Sequence, residues 1–173
     1  MTATPRAEAG CGVNDLGLRP ATPGDFEFCF DLHKAAMGEY VATVWGWDEE
    51  EQRDYHARAF DTDTDTWQII TAGTVDVGML NVERHPTEIH LSRLEIAPDH
   101  QGMGIGTRII NELRAQAAEH GHPVTLDVLA VNTDAQRLYR RLGFTESHRH
   151  GTGDVKIRMV ALPRPAANPG PRD

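Results

Sequence analysis

The segment Gln101-Gly102-Met103-Gly104-Ile105-Gly106 places three glycines at alternate positions between a strand-like run and an amphipathic helical run. Glycine adopts backbone conformations closed to other residues and lets a ligand approach the main chain, and free N–H groups at a helix start attract an anion. The loop is therefore a candidate cradle for a pyrophosphate, with a plain glycine-rich turn as the competing reading. Spacing argues against two other phosphate binders. The third glycine of a G-x-G-x-x-G dinucleotide fingerprint would fall at Thr107 or Ile109, and Thr107-Arg108 stands where a nucleoside-triphosphate loop needs Lys-Ser/Thr. Groups able to move a proton surround this loop: Glu95 in the run before it, His90 earlier in that run, Asp127 within the apolar run Val124–Val131, and Tyr139 beyond. Asp127 is the odd residue of its strand, where burial would raise its pKa toward base chemistry. For each of the three candidate bases the alternative is a solvated or salt-bridged side chain, with Arg93 an obvious partner.

The stretch from Leu94 to Gly106, LEIAPDHQGMGIG, closely resembles the Q/R-x-x-G-x-G/A signature of the GNAT acetyltransferase superfamily. About forty residues later, Asn132 to Phe144, NTDAQRLYRRLGF, is similar to the second signature of that family, N-x-x-A-x-x-L-Y-x-x-x-G-F. The resemblance covers roughly residues 16–160, strongest over 89–146 and weakest over 26–66, where members diverge to fit different substrates.

The resemblance implies an N-acetyltransferase with acetyl-CoA as cosubstrate and no metal. In such a site the backbone at Leu94 and Ile96 pairs with the pantetheine arm, and Gln101, Gly102, Met103, Gly104, Ile105, Gly106 and Thr107 hold the pyrophosphate, with Asn132 completing the cofactor site. Strands 89–97 and 124–131 would splay into a wedge where thioester meets amine. Tyr139 takes the part of general acid toward the departing thiolate, and a backbone N–H near Leu94 that of oxyanion donor. The base stays open among Glu95, Asp127 and His90. Cys29 lies on the first helix, away from the wedge, which disfavours an acyl-cysteine route and favours direct attack in a ternary complex.

Acceptor choice should come from residues 33–60, where Tyr40, Trp45 and Trp47 accompany the acidic run Asp48–Glu51. Aromatic walls beside carboxylates suit a cation; the competing reading makes the tryptophans core and has the acids charge a helix N-terminus, and for the acids this reading is the favoured one. The expected acceptor is a small-molecule primary amine: an amino acid derivative, a polyamine or an antibiotic-like amine. The alternatives are a protein or peptide amine, or a non-catalytic acetyl-CoA sensor, and a longer acyl-CoA is a weaker reading. Seven of the nine histidines lie between residues 85 and 150, but His120-x-His122 and His148-x-His150 lack the spacing of a zinc site.

These residues need a frame. Strands are expected at Leu16–Pro20, Trp67–Ala72, Val75–Val82, Ile89–Ala97, Val124–Val131, Phe144–His150 and Val155–Leu162. A first helix starts at Thr22-Pro23-Gly24-Asp25; others run from about Asp48 to Phe60, Gly104 to His120, and Thr133 to Leu142 behind an Asn132 cap. DTDTDT at 61–66 and Gly151–Asp154 read as turns. The order β-α-α-β-β-β-α-β-α-β-β is an α/β fold, a GNAT-like mixed central sheet of about seven strands with helices on both faces.

A chain of 173 residues buries about 70% of its unfolded surface, enough for one full core without staples. Its domain is expected at 16–162, with a flexible leader over 1–15 and a Pro/Gly-rich tail over 163–173. Net charge −9 repels polyanions, so neither nucleic acid nor an anionic membrane is an expected partner. Cys11 and Cys29 form no disulfide framework, and the first twenty residues lack the apolar core of a signal peptide, so the expected location is cytoplasmic. A homodimer, common in the family, stays open, because the proline-rich tail carries no pairing signal.

Overall fold

Seven strands share one sheet in the order β1-β2-β3-β4-β5-β7-β6. They are β1 (Leu16–Pro20), β2 (Trp67–Ala72), β3 (Val75–Arg84), β4 (Ile89–Ile96), β5 (Val124–Leu129), β6 (Thr145–His150) and β7 (Lys156–Ala161). All neighbours are antiparallel except β4 and β5, which are joined through a helix, and β7 lies between β5 and β6, so the connection from β5 to β6 passes over it through another helix. The helices are α1 (Phe26–Trp45), α2 (Glu49–Ala59), α3 (Ile105–Glu119) and α4 (Thr133–Arg141). The computed structural model describes residues 15–60 and 66–163, so nearly all of the expected leader and tail, and most of the 61–66 turn, fall outside it. Among the described residues no helix is long and apolar enough to cross a membrane.

Local signals account for the helix ends. Asp48 accepts from the Glu51 N–H at 2.9 Å, and Asn132 caps α4 by accepting from the Ala135 N–H at 3.1 Å. At Thr22 the expected helix start is corrected: Pro23–Asp25 form a 3₁₀ turn, and α1 begins at Phe26. Asp25 caps this turn by accepting from the Thr22 N–H at 2.8 Å, while Arg19 forks onto it at 2.7 and 2.9 Å. The sheet has apolar side chains on both faces. Ile70, Leu80 and Val82 pack with Ile109, Ile110 and Leu113 of α3, whereas Ile69, Met79 and Trp67 pack with Cys29 and Leu32 of α1. The second cluster includes no residue of β5, β6 or β7, so it backs only the N-terminal half of the sheet.

One irregularity shapes everything that follows. Asn81 pairs with Arg93 but Val82 with Leu91, so Ser92 is an extra residue in β4, a β-bulge. The bulge resets alternation: Ile89 and Leu91 face α3 before it, Leu94 and Ile96 do so after it, and His90, Arg93 and Glu95 share the opposite face. It also bends the strand. Parallel pairing joins only Ile89, Leu91 and the intervening His90 to Val124–Leu126. Beyond the bulge, Ala97 N–H donates to the Val77 carbonyl at 2.8 Å, which assigns the backbone bonds of Glu95 and Ala97 to β3. The N–H and C=O groups of Leu94 and Ile96 therefore point the other way, into the gap from which β5 has withdrawn.

Candidate active site

The gap opens into a cavity of about 850 Å³. One wall is a stripe of every fourth residue of α1: His33, Met37, Val41 and Trp45. Glu51, Asp54, Tyr55 and Arg58 of α2 continue it, and the sheet wall runs from His90–Glu95 of β4 across Leu126–Leu129 of β5 to Lys156 of β7. Asn132, Ala135 and Tyr139 close the α4 side.

Gly102 and Gly104 have φ of 75° and 82°, and a Cβ at either would meet nothing within 4 Å. Conformation, not crowding, demands glycine there, and the space over the loop is open. Gly104 begins α3 with no side-chain cap, which leaves first-turn N–H groups and the positive end of the dipole facing that space. Inside the fold, a Cβ on Gly106 would touch Ile96 and Leu138 at 3.6 and 3.7 Å, so this glycine seats the helix close on β4. A ligand with a diphosphate and an amide-bearing arm suits both features, the loop taking the anion and the Leu94 backbone the arm. Gln101 differs from expectation: its side chain donates to the Ile96 carbonyl at 2.9 Å, tying loop to strand and occupying an acceptor expected to face the arm. Leu94 and Asn132 line the cavity, while Ile96, Met103, Ile105, Thr107 and the glycines lie outside its lining.

Tyr139 lines the cavity from α4, with its ring 5.8 Å from Phe144. Burial pushes its hydroxyl up to about 12, helped by the nearby Glu95 carboxylate, so it holds its proton at neutral pH. Glu95 itself is buried and accepts from His33 Nδ1 at 2.9 and 3.2 Å, with Arg93 Nη1 3.7 Å from its Oε1.

Asp127 requires a correction. Burial does push its pKa up, but Arg158 donates to both its oxygens at 2.6 and 2.9 Å and His150 Nε2 lies at 3.0 Å. Together these hold it below the ordinary carboxylate range, opposite to the direction expected from its apolar strand. A carboxylate so engaged is a poor proton acceptor.

His90 is arranged differently. Its Nδ1 is 2.9 Å from Thr125 Oγ1, and Thr125 Oγ1 donates to Glu88 Oε2 at 3.3 Å. Thr125 has one hydroxyl proton and a carboxylate can only accept, so the Thr125 oxygen accepts from His90 Nδ1–H. That tautomer leaves a lone pair on Nε2. Burial, followed by the charge of Arg158, pulls the His90 pKa below 6.5, so the ring is neutral at physiological pH.

Of the three aromatic residues expected at the acceptor site only Trp45 lines the cavity, and of the acidic run Glu51 does. Trp47 is turned inward, with its ring 6.5 Å from Phe30 and 6.1 Å from His33 and its Nε1 donating to Glu49 at 2.9 Å; Tyr40 is not part of the wall. Tyr55 of α2 takes the place expected of them. His33, Arg93, Tyr55 and Lys156 were not singled out for the site from the sequence. The i, i+4 stripe through His33, Met37 and Val41 was the available signal for the first. Among the described residues no group of three His, Cys, Asp or Glu side chains is placed to share a metal.

A family model described as the acetyltransferase (GNAT) family matches residues 27–144. Several solved structures share the fold. The PaiA N-acetyltransferase of Thermoplasma acidophilum, solved with coenzyme A, superposes with a TM-score of 0.68 at 15% identity, covering 85% of this chain and 98% of that one. An acetyltransferase from Thermus thermophilus gives 0.66 at 22% identity over 87% and 99% of the two chains. The ribosomal-protein-S18-alanine N-acetyltransferase of Escherichia coli gives 0.62 at 20% identity over 89% and 97%.

Proposed function

The chain belongs to the GNAT acetyltransferase family and is an acetyl-CoA-dependent N-acetyltransferase, and from that premise we propose that it acetylates a primary amine of a small molecule by direct attack in a ternary complex. The observation that carries this reading is the convergence of His90, Tyr139 and the outward-facing Leu94 backbone on one cavity walled by α1 and α2.

Acetyl-CoA supplies the activated acetyl thioester. The Gly102–Gly106 loop and the α3 N-terminus would hold its diphosphate, and the β4 backbone its amide arm. His90 Nε2 takes the proton from the attacking amine as the nitrogen–carbon bond forms, and Thr125 and Glu88 fix its tautomer from behind. The Leu94 N–H is positioned to stabilise negative charge on the carbonyl oxygen. Tyr139 protonates the thiolate as the carbon–sulfur bond breaks, a role that a hydroxyl held at about 12 suits. Glu95, locked to His33, adds to the burial that holds the Tyr139 proton in place. Direct transfer is supported by Cys29, the free cysteine among the described residues: it is fully buried and its thiol is pushed up to about 12 by burial, which denies it nucleophilic character.

The test is thiol release from acetyl-CoA with a panel of amino acids, polyamines, aminoglycosides and short peptides. Turnover of a small amine is expected, with Tyr139→Phe lowering kcat about 100-fold or more at nearly unchanged KM for acetyl-CoA. Turnover of peptides alone would replace the small-molecule reading. Acetyl-CoA binding without any turnover would favour a sensor.

A further inference from the structure

The acceptor face of β5, β7 and β6 carries an unusual charge pattern for a chain of net charge −9. Register sets His148 opposite Arg158 and His150 opposite Lys156, so four basic side chains share one sheet face beside the cavity. The Arg158 guanidinium and the Lys156 ammonium on this half-buried face call for a counter-charge. Asp127 supplies one, but it is fully engaged: Arg158 forks both its oxygens and His150 holds one of them. Lys156 is left over. It lines the cavity from the β7 end, next to Leu129 across the β5–β7 register, and among the described residues its ammonium has neither hydrogen bond nor ion pair. The other cations of the wall are differently placed: Arg93 pairs with Glu95 at 3.7 Å and lies over the Trp67 ring at 5.5 Å, and Arg58 is exposed on α2.

We infer that Lys156 is the carboxylate-binding residue of the acceptor site, so that the preferred acceptors are amines that also carry a carboxylate. This rests on the small-molecule reading above and narrows it. Such a substrate would place its carboxylate on Lys156 and its amine toward His90, spanning the uncovered sheet face between β7 and β4. Asp127 lies between them. Its negative charge is neutralised by the Arg158 fork, so it does not repel the carboxylate, and it keeps Arg158 from competing for the anion.

Matched acceptors test this: lysine against cadaverine, ornithine against putrescine and phenylalanine against phenethylamine, each with wild-type, Lys156→Met and Lys156→Arg proteins. The wild type is expected to favour the carboxylate-bearing member of a productive pair by about tenfold or more in kcat/KM. Lys156→Met should collapse that ratio toward one, mainly through KM, and Lys156→Arg should restore most of it. Acetylation with no carboxylate preference, or a preference untouched in Lys156→Met, would overturn the inference and leave the small-molecule reading standing. If wild type acetylates no member of any pair yet turns over peptides, the small-molecule reading falls and the inference with it.

Discussion

His90 makes the pH dependence specific. As the proposed base His90 must be neutral, and burial together with Arg158 holds its pKa below 6.5, so kcat/KM should rise with pH and level off before an ordinary histidine would allow. With Tyr139 pushed up to about 12, no descending limb from loss of its proton should appear below pH 10. A pH–rate profile of the wild type checks both limbs, and His90→Gln should remove the acidic one along with most of the rate. Retention of that limb in His90→Gln would move the base elsewhere. His90 was a candidate in the sequence, but so were Glu95 and Asp127, and nothing local separates them. What separates them is distant in the chain: Thr125 stands 35 residues from His90, His33 stands 62 from Glu95, and Arg158 stands 31 from Asp127. The raised pKa expected of Asp127 followed soundly from an apolar strand and failed because its partners arrive from β6 and β7.

At the scale of elements, α2 is held by a buried histidine. His56 has no exposed surface, sits 5.0 Å from Phe26 and 5.5 Å from Phe60 between ring centroids, and neither ring nitrogen finds a hydrogen-bond partner among the described residues. Burial, then the charges of Arg93 and His33, lower its pKa to about 4. Between pH 6.5 and about 4 the unfolded chain therefore binds a proton that the folded one refuses, so stability falls on acidification through that window, by about 3 kcal/mol in all. His56→Leu removes both unpartnered nitrogens at similar volume. It should stabilise the fold by about 1–2 kcal/mol at pH 7 and flatten the acid slope, read by urea unfolding at pH 7 and pH 5. A variant that kept the wild-type slope would assign the acid sensitivity to another group. Most element types and their order could be read from the sequence, because periodicity and caps are local. The Ser92 bulge could not, since an extra residue is defined only against the partner strand.

For the whole molecule, the wedge is a place where the sheet is left incomplete. Leu94 and Ile96 turn backbone groups toward a strand that has withdrawn, so a ligand with an amide arm restores pairing that β5 does not supply. Acetyl-CoA and CoA should each raise Tm in a concentration-dependent way, reaching about 2.7 kcal/mol of added stability at a hundred times Kd. Gly104→Ala, which imposes a φ of 82° on an L side chain, should shift that titration to higher CoA concentration and cost about 1 kcal/mol without ligand. Thermal melts with and without CoA measure both, and a Tm indifferent to CoA would argue against the loop and the Leu94 edge as its site.

By itself the sequence determined the family resemblance, the glycine loop, the tyrosine of the second signature and the order of strands and helices. Each of these is written within a dozen or so neighbouring residues, where spacing, capping and backbone freedom act. Tertiary structure decided the rest: that Trp47 packs inward while Tyr55 lines the wall, that Asp127 is tied down, that His90 keeps a free lone pair, and that Lys156 faces the cavity without a partner. The physical reason is common to all four. Protonation state and orientation depend on which charges, donors and rings lie within a few ångströms in space, and in this sheet those neighbours come from strands and helices far apart in the chain.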